Sequence, residues 1–374
     1  MRLSHIGPVP DNLRGAIIAL GNFDGFHLGH QHVVSEAVDW ARAEGRPAIV
    51  ATFDPHPVRH FAPHVPPFRL TTLDQREEMF LEAGADAMLV FEFGDALAAM
   101  EAESFVRDLL AGHIGAAGVV TGEDFTFGKG RGGNTQVLRD VGGTCGITAR
   151  AIGPVGASGQ TVSSSRIRDA LKAGECGQAA QLLTRSFTIR GTVIHGDKRG
   201  RELGYPTANI DMGQYIRPRF GIYAVTAKVL STGQILKGAA NLGVRPQFDP
   251  PKELLEPYFF DFDSDLYGEE LDVALHHFIR PEAKFDDLDA LMAGKVIKFN
   301  SGSAYMPDSS LAVVDEVATA IKDCEGMSVA VGGHTDATGS AEVNQTLSQA
   351  RADAVSAALT ERGIAAERIT ATGF

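Results

Sequence analysis

Short apolar runs alternate with amphipathic stretches along the first half of the chain. Residues 16–20, 48–53, 87–91 and 117–121 are continuous apolar runs of strand length, the pattern of strands covered on both faces. Between them, residues 29–44, 73–83 and 103–114 carry apolar positions at helical spacing. In the first of these, Val33, Ala37, Trp40 and Ala41 recur along one face and Gly45 supplies a stop. Alternation of this kind predicts an α/β region with a doubly wound parallel sheet up to about residue 183. Ligands of such sheets bind beyond the carboxyl ends of the strands.

The period changes from Ser186 onward. Phe187, Ile189 and Val193, then Tyr223, Val225, Ala227 and Val229, then Leu271, Val273 and Leu275 fall on alternate positions between Gly/Pro-rich turns. That predicts antiparallel strands and a small β-barrel, joined to the first region by the short connection 182–186. A third pattern starts near residues 292–295. It reads as a strand at 296–299, a helix at 307–322 with Leu311, Val314, Val317, Ala318 and Ile321 on one face, a strand at 328–331 and a helix at 344–359. No tandem repeat or low-complexity tract interrupts these regions.

Composition narrows the functional classes. The chain has 374 residues, 44% hydrophobic and 22% charged, enough for two or three domains. A formal charge of −13 argues against wrapping a nucleic-acid backbone, though not against one nucleotide in a local basic pocket. Three widely separated cysteines, Cys145, Cys176 and Cys324, lack metal-ligand spacing and read as reduced thiols. No apolar run approaches ~18 residues, and no export signal is visible. The expected location is the cytoplasm.

The densest chemical signal is the segment 21–30, Gly-Asn-Phe-Asp-Gly-Phe-His-Leu-Gly-His, where a strand gives way to a helix. Helix-start amides and the positive dipole end favour an anion there. Asn22, Asp24, Gly25 and Gly29 shape the turn, and His27 and His30 can donate to a phosphate whose charge grows as a fifth oxygen approaches. The same spacing also suits a glycine-rich turn with two surface histidines. A second anion pocket is expected at Ser163, Ser164, Ser165 and Arg168, where another helix opens. Its alternative is an ordinary serine cap with solvated arginines.

Together, the H-x-G-H and S-S-S-R-I-R segments resemble those of the nucleotidyltransferase superfamily. That resemblance implies a Rossmann-like domain that adenylylates a phosphate and releases pyrophosphate. The segments 52–57, Thr-Phe-Asp-Pro-His-Pro, and 122–128, Gly-Glu-Asp-Phe-Thr-Phe-Gly, resemble those that shape the FMN pocket of flavin-handling members. Asp54, His56, Asp124, Phe125 and Phe127 are the residues this implies for flavin, with core packing the alternative for Phe127.

The barrel carries a glycine-rich flap, 191–209, containing Gly196, Lys198 and Gly200 and ending Pro-Thr-Ala-Asn. Its cations suit polyphosphate. Thr207 and Asn209, two apart on an extended segment, share a face and can reach one magnesium ion or its nucleotide. With the segments 241–246, 255–263 and 265–268 downstream, this ordered set resembles riboflavin kinase. Residues 1 to about 291 thus resemble the bacterial bifunctional riboflavin kinase and FAD synthetase family. The resemblance implies domains at 1–184 (FMN adenylyltransferase) and 185–292 (riboflavin kinase barrel), with ATP, Mg2+, riboflavin, FMN and FAD as cofactor and substrates. It implies Glu256 as the general base on the ribityl 5′-hydroxyl, Thr207 and Asn209 at the magnesium and ATP phosphates, and Gly196, Lys198 and Gly200 at the nucleotide.

After residue 292 the text departs from that family. The segments 333–339, Gly-His-Thr-Asp-Ala-Thr-Gly, and 344–352, Asn-Gln-Thr-Leu-Ser-Gln-Ala-Arg-Ala, make residues 296–374 resemble an OmpA-like peptidoglycan-binding domain. Asp336 and Arg351 would clamp the ammonium and carboxylate of a diaminopimelate residue. The resemblance runs out at Phe374 before a further loop, an arginine-bearing segment and a last strand. An incomplete α/β unit with an open sheet edge is therefore expected, and a fused or mis-joined chain near 292–296 explains the change of family better than a natural dual role. The rival functional reading is a cell-wall binding module with an inactive or passenger flavin enzyme.

Overall fold

The computed structural model describes residues 1–157, 160–194, 208–245, 252–262, 264–281, 297–300, 302–322, 329–335 and 340–374. Gly196, Lys198, Gly200, Thr207 and Asp336 lie outside the described residues. The chain divides into two units, Met1–Glu282 and Ala283–Phe374.

In the first unit, β1 (Arg2–Ser4), β2 (Ile17–Leu20), β3 (Ala48–Asp54), β4 (Ala87–Glu92), β5 (Gly118–Gly122) and β6 (Thr148–Ile152) form one parallel sheet. Its order is β1-β4-β3-β2-β5-β6. The four expected strands are the inner ones. β1 and β6 had no continuous apolar run because they are edges, and β6 alternates between exposed and half-buried positions. The order reverses direction between β2 and β5. The loops that leave these two neighbours diverge and open a crevice at the switch point.

The helix after β2, α1 (Leu28–Glu44), buries Val33, Val34, Ala37, Val38, Trp40 and Ala41 and stops at Gly45, whose φ is 64°. Next come the short α2 (Pro57–Phe61) and α3 (Leu73–Glu82), the latter closed by a Thr72–Gln75 capping box. The expected helix 103–114 is a turn at Ala102–Ser104 followed by a π-helical stretch, Phe105–Ile114. A two-stranded ribbon, β7 (Gly156–Ala157) with β8 (Gln160–Thr161), leads into the helices Ser164–Ala173 and Cys176–Leu183.

Six antiparallel strands then close a barrel in the order β10-β13-β12-β11-β14-β9. They are β9 (Phe187–Ile194), β10 (Asn209–Asp211), β11 (Gly221–Val229), β12 (Ile235–Arg245), β13 (Lys252–Phe259) and β14 (Glu270–Pro281). One apolar core runs from Leu70, Ile167, Leu171 and Leu182 into barrel residues Phe187, Ile189, Leu255 and Val273. Polar contacts join the same regions. The Arg190 guanidinium donates to Glu78 of α3 at 2.6 and 2.7 Å and to Asp272 of β14 at 2.8 and 2.6 Å. The Tyr215 hydroxyl donates to Gln75 at 2.7 Å. The backbone of Arg69 pairs with barrel residues, its N–H donating to Gln214 at 3.0 Å and its carbonyl accepting from Ile216 at 2.8 Å.

The second unit contains the helices Asp308–Lys322 and Ala341–Glu361 and the parallel pair β15 (Val329–Gly333) and β16 (Ile369–Gly373). Its core is small: Val314, Ala318, Val355, Ala358, Leu359 and Ile364, with Ile297 and Phe299 against it. The expected strand at 296–299 is unpaired over its described residues 297–299. Ile297 and Phe299 pack on the core while the Lys298 carbonyl accepts from the Ser310 hydroxyl at 2.8 Å. Apolar alternation therefore reports packing there, not pairing. Glutamines occupy polar groups of β16: Gln349 accepts from the Gly373 N–H at 2.8 Å, and Gln345 donates to the Gly373 carbonyl at 3.0 Å.

Candidate functional site

The segment after β2 bends through backbone that few side chains adopt. Phe23, Gly25 and Phe26 have φ of 49°, 88° and 40°, and such left-handed residues concentrate where a site needs its backbone forced. At Gly25 a side chain would also meet Leu70, its Cβ falling 2.7 Å from Cδ1. The turn delivers His27 as the cap of α1, its Nδ1 accepting from the His30 N–H at 3.3 Å. The two imidazoles stack at 3.5 Å between centroids and 17° between planes. The His30 ring also meets the Phe23 ring edge-on at 5.3 Å.

Burial lowers the His27 pKa to about 4 and that of His30 well below the ordinary 6.5. For His30 the neighbouring His27 adds to the effect, and Arg168 and Arg185 oppose protonation of both rings. Both imidazoles are therefore neutral at pH 7. With Nδ1 of His27 accepting, its proton sits on Nε2, so His27 offers one donor. The positive potential comes instead from guanidiniums and helix starts.

These groups face one cavity of about 1460 Å³ in the crevice beyond β2 and β5, above the roughly 300–1,000 Å³ that suits a drug-sized ligand. Asn22, Asp24, His27, Gly29 and His30 line one part, and Ser163, Ser164 and Arg168 another. His56, Asp124, Phe125 and Phe127 line a third part. Two buried polar atoms of the lining, Asn22 Oδ1 and His30 Nδ1, have no hydrogen-bond partner among the described residues. Such groups are costly unless a ligand or water completes them.

Several expected residues sit in supporting positions. Asp24 is 4% exposed and accepts from the N–H groups of Leu70 at 2.9 Å and Thr71 at 3.0 Å. It also pairs with Arg168 at 2.7 Å, so its carboxylate aims that guanidinium. Arg168 Nε donates to the Phe68 carbonyl at 2.8 Å and its plane lies over the Phe68 ring. Ser163 caps the helix Ser164–Ala173, accepting from the Arg166 N–H at 3.3 Å, and Ser164 donates to the Asp24 carbonyl at 2.9 Å. Ser165 is exposed on that helix and is absent from the cavity lining, as is Gly25, packed under Leu70. Asp54 is also off the lining, taken up by an ion pair with Arg69. His56 caps α2, accepting from the Val58 N–H at 3.2 Å, and burial lowers its pKa to about 4. Phe125 is half-buried, whereas Phe127 is 6% exposed and packs on Phe105 in the core.

Sequence reasoning missed the residues that hold this loop. Arg76 is 3% exposed and donates to the Asn22 carbonyl at 3.2 Å and the Thr52 hydroxyl at 2.8 Å. A legible signal existed, since Arg76 occupies an apolar-stripe position of α3 between Leu73 and Phe80. Thr52 ties β3 to the same carbonyl at 2.7 Å.

The second candidate cluster lies on the barrel. In the β12–β13 register Asn241 stands opposite Glu256, and β10 pairs with β13 at Ile210 and Leu255. One step along that ladder places Asn209 beside Glu256, so the three occupy adjacent strands on one face of the sheet. Asn209 is 7% exposed, and Ala208 donates to the Pro257 carbonyl at 2.9 Å, which fixes the register there.

Three family models match successive stretches of the chain. The FAD synthetase family model matches residues 9–166, the riboflavin kinase model residues 183–295, and the OmpA family model residues 298–374. The bifunctional riboflavin kinase/FMN adenylyltransferase of Escherichia coli strain K12 is 36% identical over 280 residues, 75% of this chain and 89% of that one. Its counterpart in Listeria monocytogenes is 38% identical over 287 residues, 74% and 88% of the two chains. A crystal structure of a Streptococcus pneumoniae protein, named there as a macrolide-efflux protein, superposes with a TM-score of 0.69 at 29% identity. It covers 78% of this chain and 95% of that one. Among the described residues no helix is long and apolar enough to cross a membrane. Two thirds of the molecule and more align at this level with proteins of one kind, and the chain belongs to the bifunctional riboflavin kinase/FMN adenylyltransferase family.

Proposed function

We infer that the crevice beyond β2 and β5 adenylylates FMN and that the barrel phosphorylates riboflavin. The domain limits follow as 1–184 for the first reaction and 185–292 for the second. The observation that supports this reading best is the convergence of His27, His30 and Arg168 on one cavity that also holds the unpartnered Asn22 Oδ1 and His30 Nδ1. In the crevice an FMN phosphate oxygen attacks the α-phosphorus of ATP, and the bond to the leaving pyrophosphate breaks. His27 donates from Nε2 to an oxygen of that phosphate without gaining charge itself. Arg168, aimed by Asp24, meets the departing phosphates. Phe125, the half-buried ring on the lining, offers a face to the isoalloxazine, and Phe127 backs it from the core.

In the barrel the riboflavin 5′-hydroxyl attacks the γ-phosphorus of ATP, ADP leaves, and Glu256 takes the hydroxyl proton. The neighbouring amide and carboxylate oxygens of Asn209 and Glu256 are the donor type that magnesium prefers. Thr207 and Asn209 would hold the ion, which when bound neutralises charge on the ATP phosphates. Gly196, Lys198 and Gly200 complete the assignment as the nucleotide flap. The need for ATP in both reactions supports a cytoplasmic location.

The test is incubation of the full chain with riboflavin, ATP and magnesium, followed by chromatographic separation of the flavins. FMN should accumulate first and FAD, with pyrophosphate, afterwards. Absence of both products would refute the assignment.

A second reading rests on the OmpA family match over 298–374. Arg351 there donates to the Ser303 and His334 carbonyls at 3.1 and 3.0 Å and lies over Phe299. In this reading it is half of a diaminopimelate clamp whose other half is Asp336. Retention on purified peptidoglycan sacculi, abolished by Arg351→Ala, is the expected result.

A further inference from the structure

The connection between the sheet region and the barrel contains a cation, Arg185, that is off the cavity lining. The helix Cys176–Leu183 ends on Thr184 in the left-handed conformation, φ 62°, and this turns the next residue, Arg185, back toward the phosphate loop. All three hydrogen bonds of its guanidinium go to backbone carbonyls: Gly25 at 2.7 Å, Phe26 at 3.3 Å and Leu183 at 3.0 Å. Gln31 of α1 donates to two of the same acceptors, Phe26 at 2.9 Å and Leu183 at 3.3 Å, and to the Thr184 hydroxyl at 2.8 Å. Two side chains thus fasten one left-handed turn to another.

The location gives the fastening its consequence. Gly25 and Phe26 immediately precede His27 and are two of the three left-handed residues in the loop. A backbone in such a conformation persists only when its surroundings over-determine it. A planar fork reaching two successive carbonyls does that in a way a point charge cannot.

We propose that Arg185 is a positioning residue for adenylyl transfer, holding the turn that carries His27 through the Gly25 and Phe26 carbonyls. The proposal rests on the crevice being the adenylyl-transfer site. It means that the connection to the barrel is a working part of the first active site. Burial lowers the Arg185 pKa to about 10, so the fork stays charged at pH 7.

The test compares the full chain with its Arg185→Ala variant, measuring FMN formation from riboflavin and FAD formation from supplied FMN separately. Misplacing a reacting group by about 1 Å can cost about 10²-fold. A fall of that order is expected in kcat for FAD, with FMN formation kept within about twofold. Added guanidinium chloride, below denaturing concentration, should recover part of the lost kcat, whereas ammonium chloride at equal ionic strength should not. Unchanged FAD formation, loss of both reactions together, or loss without guanidinium-specific recovery would each overturn the role of Arg185. If the unsubstituted chain makes no FAD, the failure lies with the adenylyl-transfer reading instead.

Discussion

The two candidate sites of the first unit are built by opposite means. The crevice site is a loop forced through three left-handed residues and held from outside by Arg76, Arg185 and the Leu70–Thr71 amides around Asp24. The barrel site is a row on three adjacent strands, Asn209, Glu256 and Asn241, held by the ladder itself. A loop site depends on distant side chains that never touch substrate. A register site depends mainly on its own members, because each rung is fixed by the rungs beside it. Substitutions should therefore separate the two reactions, and the crevice should have the wider set of sensitive positions.

The sharpest break is Glu256→Gln, which keeps the shape and removes the proposed base. FMN formation should fall by about 10²–10⁴, while FAD formation from supplied FMN stays within about twofold. Parallel losses in both assays would show that the sites are not separate. Next is His27→Asn, chosen because asparagine is a good helix cap but withdraws the Nε2–H donor. FAD formation should fall by about 10²–10³ with riboflavin phosphorylation intact, and rates measured by flavin chromatography decide it.

A smaller effect sharpens the claim about remote support. Asp24→Asn removes the charge that aims Arg168 yet leaves an acceptor for the Leu70 and Thr71 amides. Hydrogen bonds to charged groups contribute about 1.5–3 kcal/mol, so a rise in KM for ATP of roughly ten- to a hundredfold is expected in adenylyl transfer alone. A kcat effect with unchanged KM would place Arg168 elsewhere in the reaction.

The smallest effect is on stability. His27 and His56 have folded pKa values near 4 against an ordinary 6.5, and His30 is displaced in the same direction. Below pH 6.5 the unfolded chain takes up protons that the fold refuses. The stability associated with the neutral rings is full above that pH and drains as pH falls toward 4. Melting temperatures at pH 7 and pH 5 should show this loss, with a shallower loss in His27→Asn. An identical slope in the variant would count against the buried neutral ring.

Legibility in the sequence followed the range of the interaction. The run from Asn22 to His30 is local, and its spacing marked a candidate anion site that needed the second segment, Ser163 to Arg168, to stand apart from an ordinary glycine-rich turn. Arg76 was readable as a charge on an apolar stripe, but its target, Asn22, is 54 residues earlier in the chain. Arg185 had no readable partner, because Gly25 and Phe26 are about 160 residues earlier. Asp54 and Ser165 belong to promising segments, yet an ion pair with Arg69 and an outward helix face put them off the cavity lining. In the second unit, the pattern at 296–299 predicted a strand, whereas Ile297 and Phe299 pack on the core without strand pairing.

By itself, then, the order of residues determined the alternation of strands and helices, the change to a two-residue period and the local shape of each chemical segment. These depend on neighbours within a few positions, where side-chain period and turn chemistry act directly. Only the tertiary structure decided that β2 and β5 lie side by side, that Glu256 stands between Asn209 and Asn241, and that Arg185 closes on the loop before His27. Strand order, ladder register and the reach of a buried guanidinium are set by which surfaces bury one another, and no local pattern along the chain encodes that choice.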